Sequence, residues 1–287
     1  MSSNSHQQDL YQDCLDAVGV GGSDASNVTA ALSQQQALLE CVTRALLQQD
    51  DRDQTFTRNI SVLYSAAMVF FMQSGFAMLC AGAVRTKNVQ NTMLKNLLDA
   101  CGASFAFYSI GYAFAFGDGS SPNGFIGTTH FFLMDVDDLA YWLFQYAFSA
   151  ASATIVAGTL AERCQMAAYL CYSIMLTGIV YPVVAHSIWS PFGFLSVEKE
   201  SPLLGVGVVD FAGGGVVHSV GGLTALFATM ILGPRRGRFH DDQGRRLDKP
   251  MEFPGHSIAL QVSPLWTWLS LFLAAMLQIE QRERNRT

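Results

Sequence analysis

The sequence predicts an all-α polytopic membrane protein, and three observations carry that reading. Five apolar runs, at about 60–83, 94–116, 139–160, 166–189 and 205–232, each come near or pass the ~20 residues a helix needs to cross the hydrocarbon core. Only 14% of the 287 residues are charged, against about 25% in an average soluble chain. The basic residues between the runs are unevenly shared, which is the signature of a fixed orientation in a bilayer.

Residues 1 to about 58 come first and are polar, rich in Gln, Ser and Asp, with no run long enough to span and no signal-peptide core. Within them, from about Asn27 to Gln49, Ala30, Leu32, Leu38, Leu39, Val42, Leu46 and Leu47 recur at helical spacing. That spacing predicts a short amphipathic helix, in the simplest reading a free-standing one on the surface.

The connections then set the topology. The first carries Arg85, Lys87 and Lys95, the third Arg163, and the fifth Arg235, Arg236, Arg238, Arg245, Arg246 and Lys249. The second has no basic residue but has Asp118, Asp135, Asp137 and Asp138, and the fourth has only Lys199 between Glu198 and Glu200. Odd connections are therefore expected on the cytoplasmic side, and the N-terminal region outside. There Asn27-Val28-Thr29 becomes a candidate glycan site, and Cys14 and Cys41 meet conditions in which a disulfide can form. Cys80, Cys101, Cys164 and Cys171 fall in or beside the apolar runs and read as small core residues. A sixth run, about 258–279, is broken by Pro264, and the tail beyond it holds Arg282, Arg284 and Arg286, on the wrong side if the run spans.

The totals exclude other classes. A net charge of −6 with no basic domain argues against nucleic acid. Neither CxxC nor metal-ligand spacing occurs among the six cysteines, so no metal is expected. No hydrolase elbow, phosphate loop or paired-carboxylate site is present, so neither an enzyme nor a cofactor is predicted.

The residues that could carry transport gather around Asp210-Phe211-Ala212-Gly213-Gly214-Gly215-Val216-Val217-His218. If the run is helical from its head, Asp210, Gly214, His218 and Gly222 stack at i, i+4 spacing on a face cleared of side chains. An ionisable group at that depth is a functional-site candidate by default. His218 has three readings: a pore-lining donor and acceptor, which is favoured, a structural histidine bonded to a carbonyl, and a metal ligand, which the lack of a second ligand disfavours. Asp210 reads first as a helix cap and second as a charge that attracts cations. Trp189, at the end of the fourth run, is either an interfacial anchor or a π face for a cation. Phe148, among Tyr146-Ala147-Phe148-Ser149-Ala150-Ala151-Ser152, is either lipid-facing or a plug in a narrow passage.

At these residues the chain resembles the ammonium transporter family (the Amt, Mep and Rh group), in its plant and algal branch. The resemblance runs from about Asn59 to Val262. It rests on Phe70-Phe71-Met72-Gln73-Ser74-Gly75-Phe76-Ala77-Met78-Leu79, Lys87-Asn88-Val89, Lys95-Asn96-Leu97-Leu98-Asp99, Gly111-Tyr112-Ala113-Phe114-Ala115-Phe116-Gly117, Leu160-Ala161-Glu162-Arg163, and most specifically on Asp210 to His218. The resemblance implies two inverted repeats of five helices, the N-terminus outside the plasma membrane, and a pore in each subunit of a homotrimer. It implies that Trp189 and Phe148 belong to an outer cation site and the aromatic gate below it. Asp210 would be a structural and recruiting acid, and His218 the first of two pore histidines. Ammonium would be recruited outside and ammonia passed inward, with or without a separate proton.

The resemblance also implies a boundary. Residues 1–58 form the polar N-terminal region, 59–262 the first repeat of the transporter domain, and 263–287 an atypical tail beginning Ser263-Pro264-Leu265-Trp266. The second repeat has no counterpart, and one inverted repeat does not close a pore. The sequence therefore reads as truncated, with a non-conducting interaction or sensing subunit as the alternative to a transporter.

Overall fold

The computed structural model describes residues 13–16, 28–119, 123–241, 243–253 and 255. By internal contacts the chain divides into two units, Met1–Ile60 and Ser61–Thr287. The sixth candidate run, the atypical tail and Asn27 of the sequon lie outside the described residues.

Helix α1 runs without a break from Val28 to Gly82, which corrects the expectation of a short helix closing near Gln49. No Pro or Gly interrupts it before Gly75. Its polar stretch also holds itself by local bonds: Arg44 pairs with Glu40, Gln54 donates to Asp50 across 2.8 Å, and Thr57 donates to the Asp53 carbonyl across 2.8 Å. A helix that is polar all round survives on such i,i+4 contacts. Within the first unit Cys14 and Cys41 are joined as a disulfide with Cα atoms 5.9 Å apart.

In the second unit the chain passes back and forth through a helical bundle. Helix α2 (Val89–Ala106) continues through a π turn, Phe107–Gly111, into α3 (Tyr112–Phe116). Helix α4 spans Leu139–Leu160. Helix α5 (Met166–Met175) continues through a second π turn, Leu176–Val180, into α6 (Tyr181–Trp189). A third π turn, Gly214–Ser219, leads into α7 (Val220–Leu232). With the last part of α1, these give, among the described residues, five segments long and apolar enough to cross a membrane.

Helix α4 sits at the centre: 78% of its most apolar stretch is buried, against 17% for the segment Gly214–Leu232. Ala147, Ala150, Ala151 and Ala153 are all but inaccessible, so neighbouring backbones come close where a larger side chain would hold them apart. Some polar groups inside are paired across helices. Tyr146 donates to the Ala100 carbonyl across 2.9 Å, and Tyr169 donates to the fully buried Asp99 across 2.5 Å. Leu223, Leu226, Phe227, Met230 and Ile231 are exposed at i, i+3, i+4, i+7 and i+8, which makes one apolar stripe on α7. Of the four cysteines read as core, only Cys80 is buried; Cys101 and Cys171 stand on exposed faces of their helices.

The two ends of the bundle are tied differently. At one end Glu162, in a left-handed conformation (φ 62°), accepts from Arg85 and Asn88, and Arg235 Nη1 lies 3.6 Å from its other oxygen. Three separate connections thus meet on one carboxylate. At the other end the buried His186 ring places its two nitrogens 3.0 Å from the Ala115 carbonyl oxygen and 2.7 Å from that of Asn123. That contact fastens the loop after α3 to the last turn of α6.

Candidate functional site

The end of the bundle with His186 also holds the cavity of interest. Helix α4 begins there, capped by Asp138, whose Oδ1 accepts the Tyr141 N–H across 2.9 Å. Phe148 follows 10 residues later on its buried face. Helix α6 arrives from the opposite direction and stops at Trp189, where Ser190 turns extended ahead of Pro191. The two rings meet with centroids 5.6 Å apart and planes tilted by 58°. Phe144 adds an edge-on contact to Phe148 at 4.9 Å. Trp189 Nε1–H donates to the Asp210 carbonyl across 2.7 Å, so the loop before the last span is tied to the end of the fourth.

Asp210 lies outside the helix. The apolar run was expected to be helical from Asp210, with an Asp210–Gly214–His218 stack, but the helical backbone starts only at Gly214, and as a π turn. The reason is Gly213, at φ 78°, a left-handed position open to glycine at little cost. Any Cβ there would stand 2.8 Å from Val217 Cγ2. Upstream, Leu204, Gly205 and Gly207 also take positive φ, so the residues from 205 form a loop despite their apolar character. Asp210 still serves the helix start: its Oδ2 accepts from Gly215 N at 2.9 Å and Val216 N at 2.7 Å. Those are two of the free donors that a helix start leaves. The cap expected of Asp210 is therefore made from outside the first turn.

These residues enclose a cavity of about 250 Å3, lined by Phe144, Gln145, Phe148, Trp189, Glu198 and Asp210 among others. The lining brings aromatic rings, Phe144, Phe148 and Trp189 among them, together with the acidic residues Glu198 and Asp210. Gln145 is also part of the lining. Its Oε1 is buried and meets no donor among the described residues, an unsatisfied acceptor that costs free energy until something donates to it.

Three of the four residues singled out from the sequence, Phe148, Trp189 and Asp210, come together in this lining, and His218 does not. His218 sits in the π turn, partly buried, with its backbone N–H donating to the Gly213 carbonyl across 2.9 Å. The glycines around it divide in two. A Cβ on Gly221 would lie 2.9 Å from the Ser152 carbonyl oxygen, so that side packs tightly on α4, while a Cβ on Gly222 would meet nothing within 4 Å. Gln145 was missed from sequence because a glutamine in an Ala- and Ser-rich helix carries no motif of its own. Its neighbours Phe144 and Phe148, at i−1 and i+3, were the available signal.

Comparison with known proteins gives one answer. The model of the Ammonium Transporter Family matches residues 60–273. Ammonium transporter 1 member 3 of Solanum lycopersicum is 47% identical over 218 residues, covering 74% of this chain and 46% of that protein. Ammonium transporter 1 member 1 of Oryza sativa subsp. japonica is 52% identical over 201 residues, 68% of this chain and 39% of that one. Among solved structures, a sensor Amt protein aligns with a TM-score of 0.63 at 30% identity, over 76% of this chain and 54% of that chain. The Mep2 protein of Candida albicans aligns with a TM-score of 0.60 at 25% identity, over 76% and 47%. This chain thus spans less than half the length of the curated relatives it matches.

Proposed function

The chain belongs to the ammonium transporter family, and from that premise we propose that it serves the passage of ammonium across a membrane, recruiting the cation at the Phe148–Trp189–Asp210 cavity. The pairing of Phe148 with Trp189 over that cavity carries the proposal. Cation attraction to an aromatic face is worth about 0.5–2 kcal/mol, more when water is excluded, and an ammonium ion has four N–H groups to donate. Asp210 and Glu198, two residues of the same lining, bring carboxylate acceptors. Ammonia, with or without a separately conducted proton, would move on past His218, whose ring can both give and take a hydrogen bond without holding a fixed charge.

The basic first, third and fifth connections favour an orientation with the Arg85–Glu162–Arg235 end on the cytoplasmic side and the polar N-terminal region outside. A homotrimer in the plasma membrane is the assembly we assign to the whole protein. In domain terms, 1–58 is an outer region and 59–262 the first repeat of the transporter, followed by the divergent 263–287. The curated relatives are named as transporters, which favours transport over catalysis. The test is uptake of 15N-labelled ammonium by yeast lacking its own ammonium transporters. Saturable uptake above the empty strain supports the proposal, and uptake equal to that strain removes it.

The likeness to a sensor Amt protein favours a second reading, in which the chain binds ammonium at the same cavity and reports it without passing it. Binding without uptake would select that reading.

A further inference from the structure

We propose that a second cavity, at the end of the bundle opposite Trp189, binds a phosphate-bearing anion through Arg163, Arg235 and Arg236. The cavity measures about 440 Å3 and lies between the connection 162–165 and the segment 232–236 that follows α7. Three arginines and one glutamate line it, a net charge of +2.

That charge is not used up inside the protein. Glu162 is held by Arg85 and Asn88 as well as by Arg235, so it is shared among several donors. Arg235 is fixed in place by the Ala83 carbonyl and by the Gly158 carbonyl at 3.1 Å. Arg163 Nη1 donates to the Gly233 carbonyl across 2.9 Å, while its buried Nε–H meets no acceptor among the described residues. Arg236 is exposed and makes no hydrogen bond or ion pair among the described residues. Burial above all, then the charges of Arg163 and Arg238, hold Arg235 below the ordinary guanidinium value against the opposing pull of Glu162. An anion in the cavity relieves that mutual repulsion.

Guanidinium groups present planar pairs of donors that match phosphate oxygens two at a time. A phosphate dianion also matches the net charge of the lining. The cavity opens where the spans end, so the phosphate can come from solution or from the headgroup of an anionic lipid. Only the side of the membrane rests on the orientation proposed above; the binding does not.

The experiment uses the whole 287-residue protein and two probes. Inorganic phosphate is titrated in neutral detergent, and phosphatidylcholine nanodiscs are compared with and without phosphatidylinositol 4-phosphate. The readout is the thermal midpoint followed by intrinsic fluorescence. We expect a saturable rise with at least one probe, and the probe that gives it identifies the source. Arg163→Gln and Arg236→Gln should each weaken the apparent affinity about tenfold, the scale of one lost charge-assisted hydrogen bond. Arg245→Gln, at an exposed residue paired with Asp241 outside the cavity, should leave it unchanged. If Arg163→Gln does not fold, the exposed Arg236→Gln decides. No saturable response to either probe, or an undiminished one in Arg236→Gln, overturns the proposal. Neither probe reports on ammonium, so failure here leaves the transport reading standing.

Discussion

The Trp189 indole donates its Nε1–H to the backbone oxygen of Asp210 across 2.7 Å. One hydrogen bond thereby holds the end of the fourth span against the loop that starts the fifth. The same indole faces Phe148, so the position of the aromatic wall depends on where Asp210 sits. Ring and N–H can be separated by substitution. Trp189→Ala removes both and should weaken the apparent affinity for ammonium at least tenfold in concentration-dependent uptake. Trp189→Phe keeps a ring face and leaves the Asp210 carbonyl without its donor, a cost of about 1 kcal/mol. Its loss of affinity should be smaller.

The Asp210 carboxylate closes two free donors of the following helix. Asp210→Ala should lower stability by about 1–2 kcal/mol, the usual cost of a lost cap, seen as a lower thermal midpoint. Asp210→Asn retains an acceptor oxygen but not the charge. It should keep most of the midpoint while weakening ammonium recruitment.

Glu162 ties three connections together at the far end. Burial pushes its pKa up, but the Asn88 and Arg85 donors outweigh burial and hold it below the ordinary value of 4.5. A carboxylate depressed in the folded state contributes stability that is fully present above its unfolded pKa and lost as pH falls through the folded one. The thermal midpoint of the unaltered protein should therefore fall as pH drops below about 4.5. In Glu162→Gln the midpoint should be lower at neutral pH and its acid slope shallower.

Gly221 and Gly222 are adjacent, yet they face different surroundings. A Cβ at 221 would press on the Ser152 carbonyl oxygen and Ile155 Cβ, both 2.9 Å away. Gly221→Ala should cost about 1–3 kcal/mol by forcing α7 from α4. Gly222→Ala enters open space and should be neutral or slightly stabilising, because alanine is the better helix former. Thermal midpoints of the two variants test the difference directly.

The spans were legible because length and apolar content are what a bilayer selects. For α4 the expected run 139–160 and the helix Leu139–Leu160 coincide. The last span was read nine residues too early, from 205 where the helix begins at 214. Val206, Val208 and Val209 are as apolar as a helix requires, and hydropathy does not register the left-handed turns at Gly207 and Gly213 that break it. The π turns inside the second and fourth spans escaped for a similar reason, since one extra residue per turn barely shifts an apolar pattern. At the site, the aromatic and acidic residues could be named from the chain, but their meeting was implied only by the family resemblance and not by their spacing. Phe148, Trp189 and Asp210 are brought together by the interior of α4, the end of α6 and a loop, across 62 residues of sequence. Gln145 and Glu198 join them only through the fold.

The central claim is that this cavity holds an ammonium ion, and calorimetric titration of the purified protein tests it most directly. Ammonium chloride and sodium chloride would be titrated at the same ionic strength into the unaltered protein and into Trp189→Ala. The account predicts saturable heat with ammonium alone, weakened at least tenfold in the variant. Equal heats in the two proteins, or no ammonium-specific heat in the unaltered one, would contradict it.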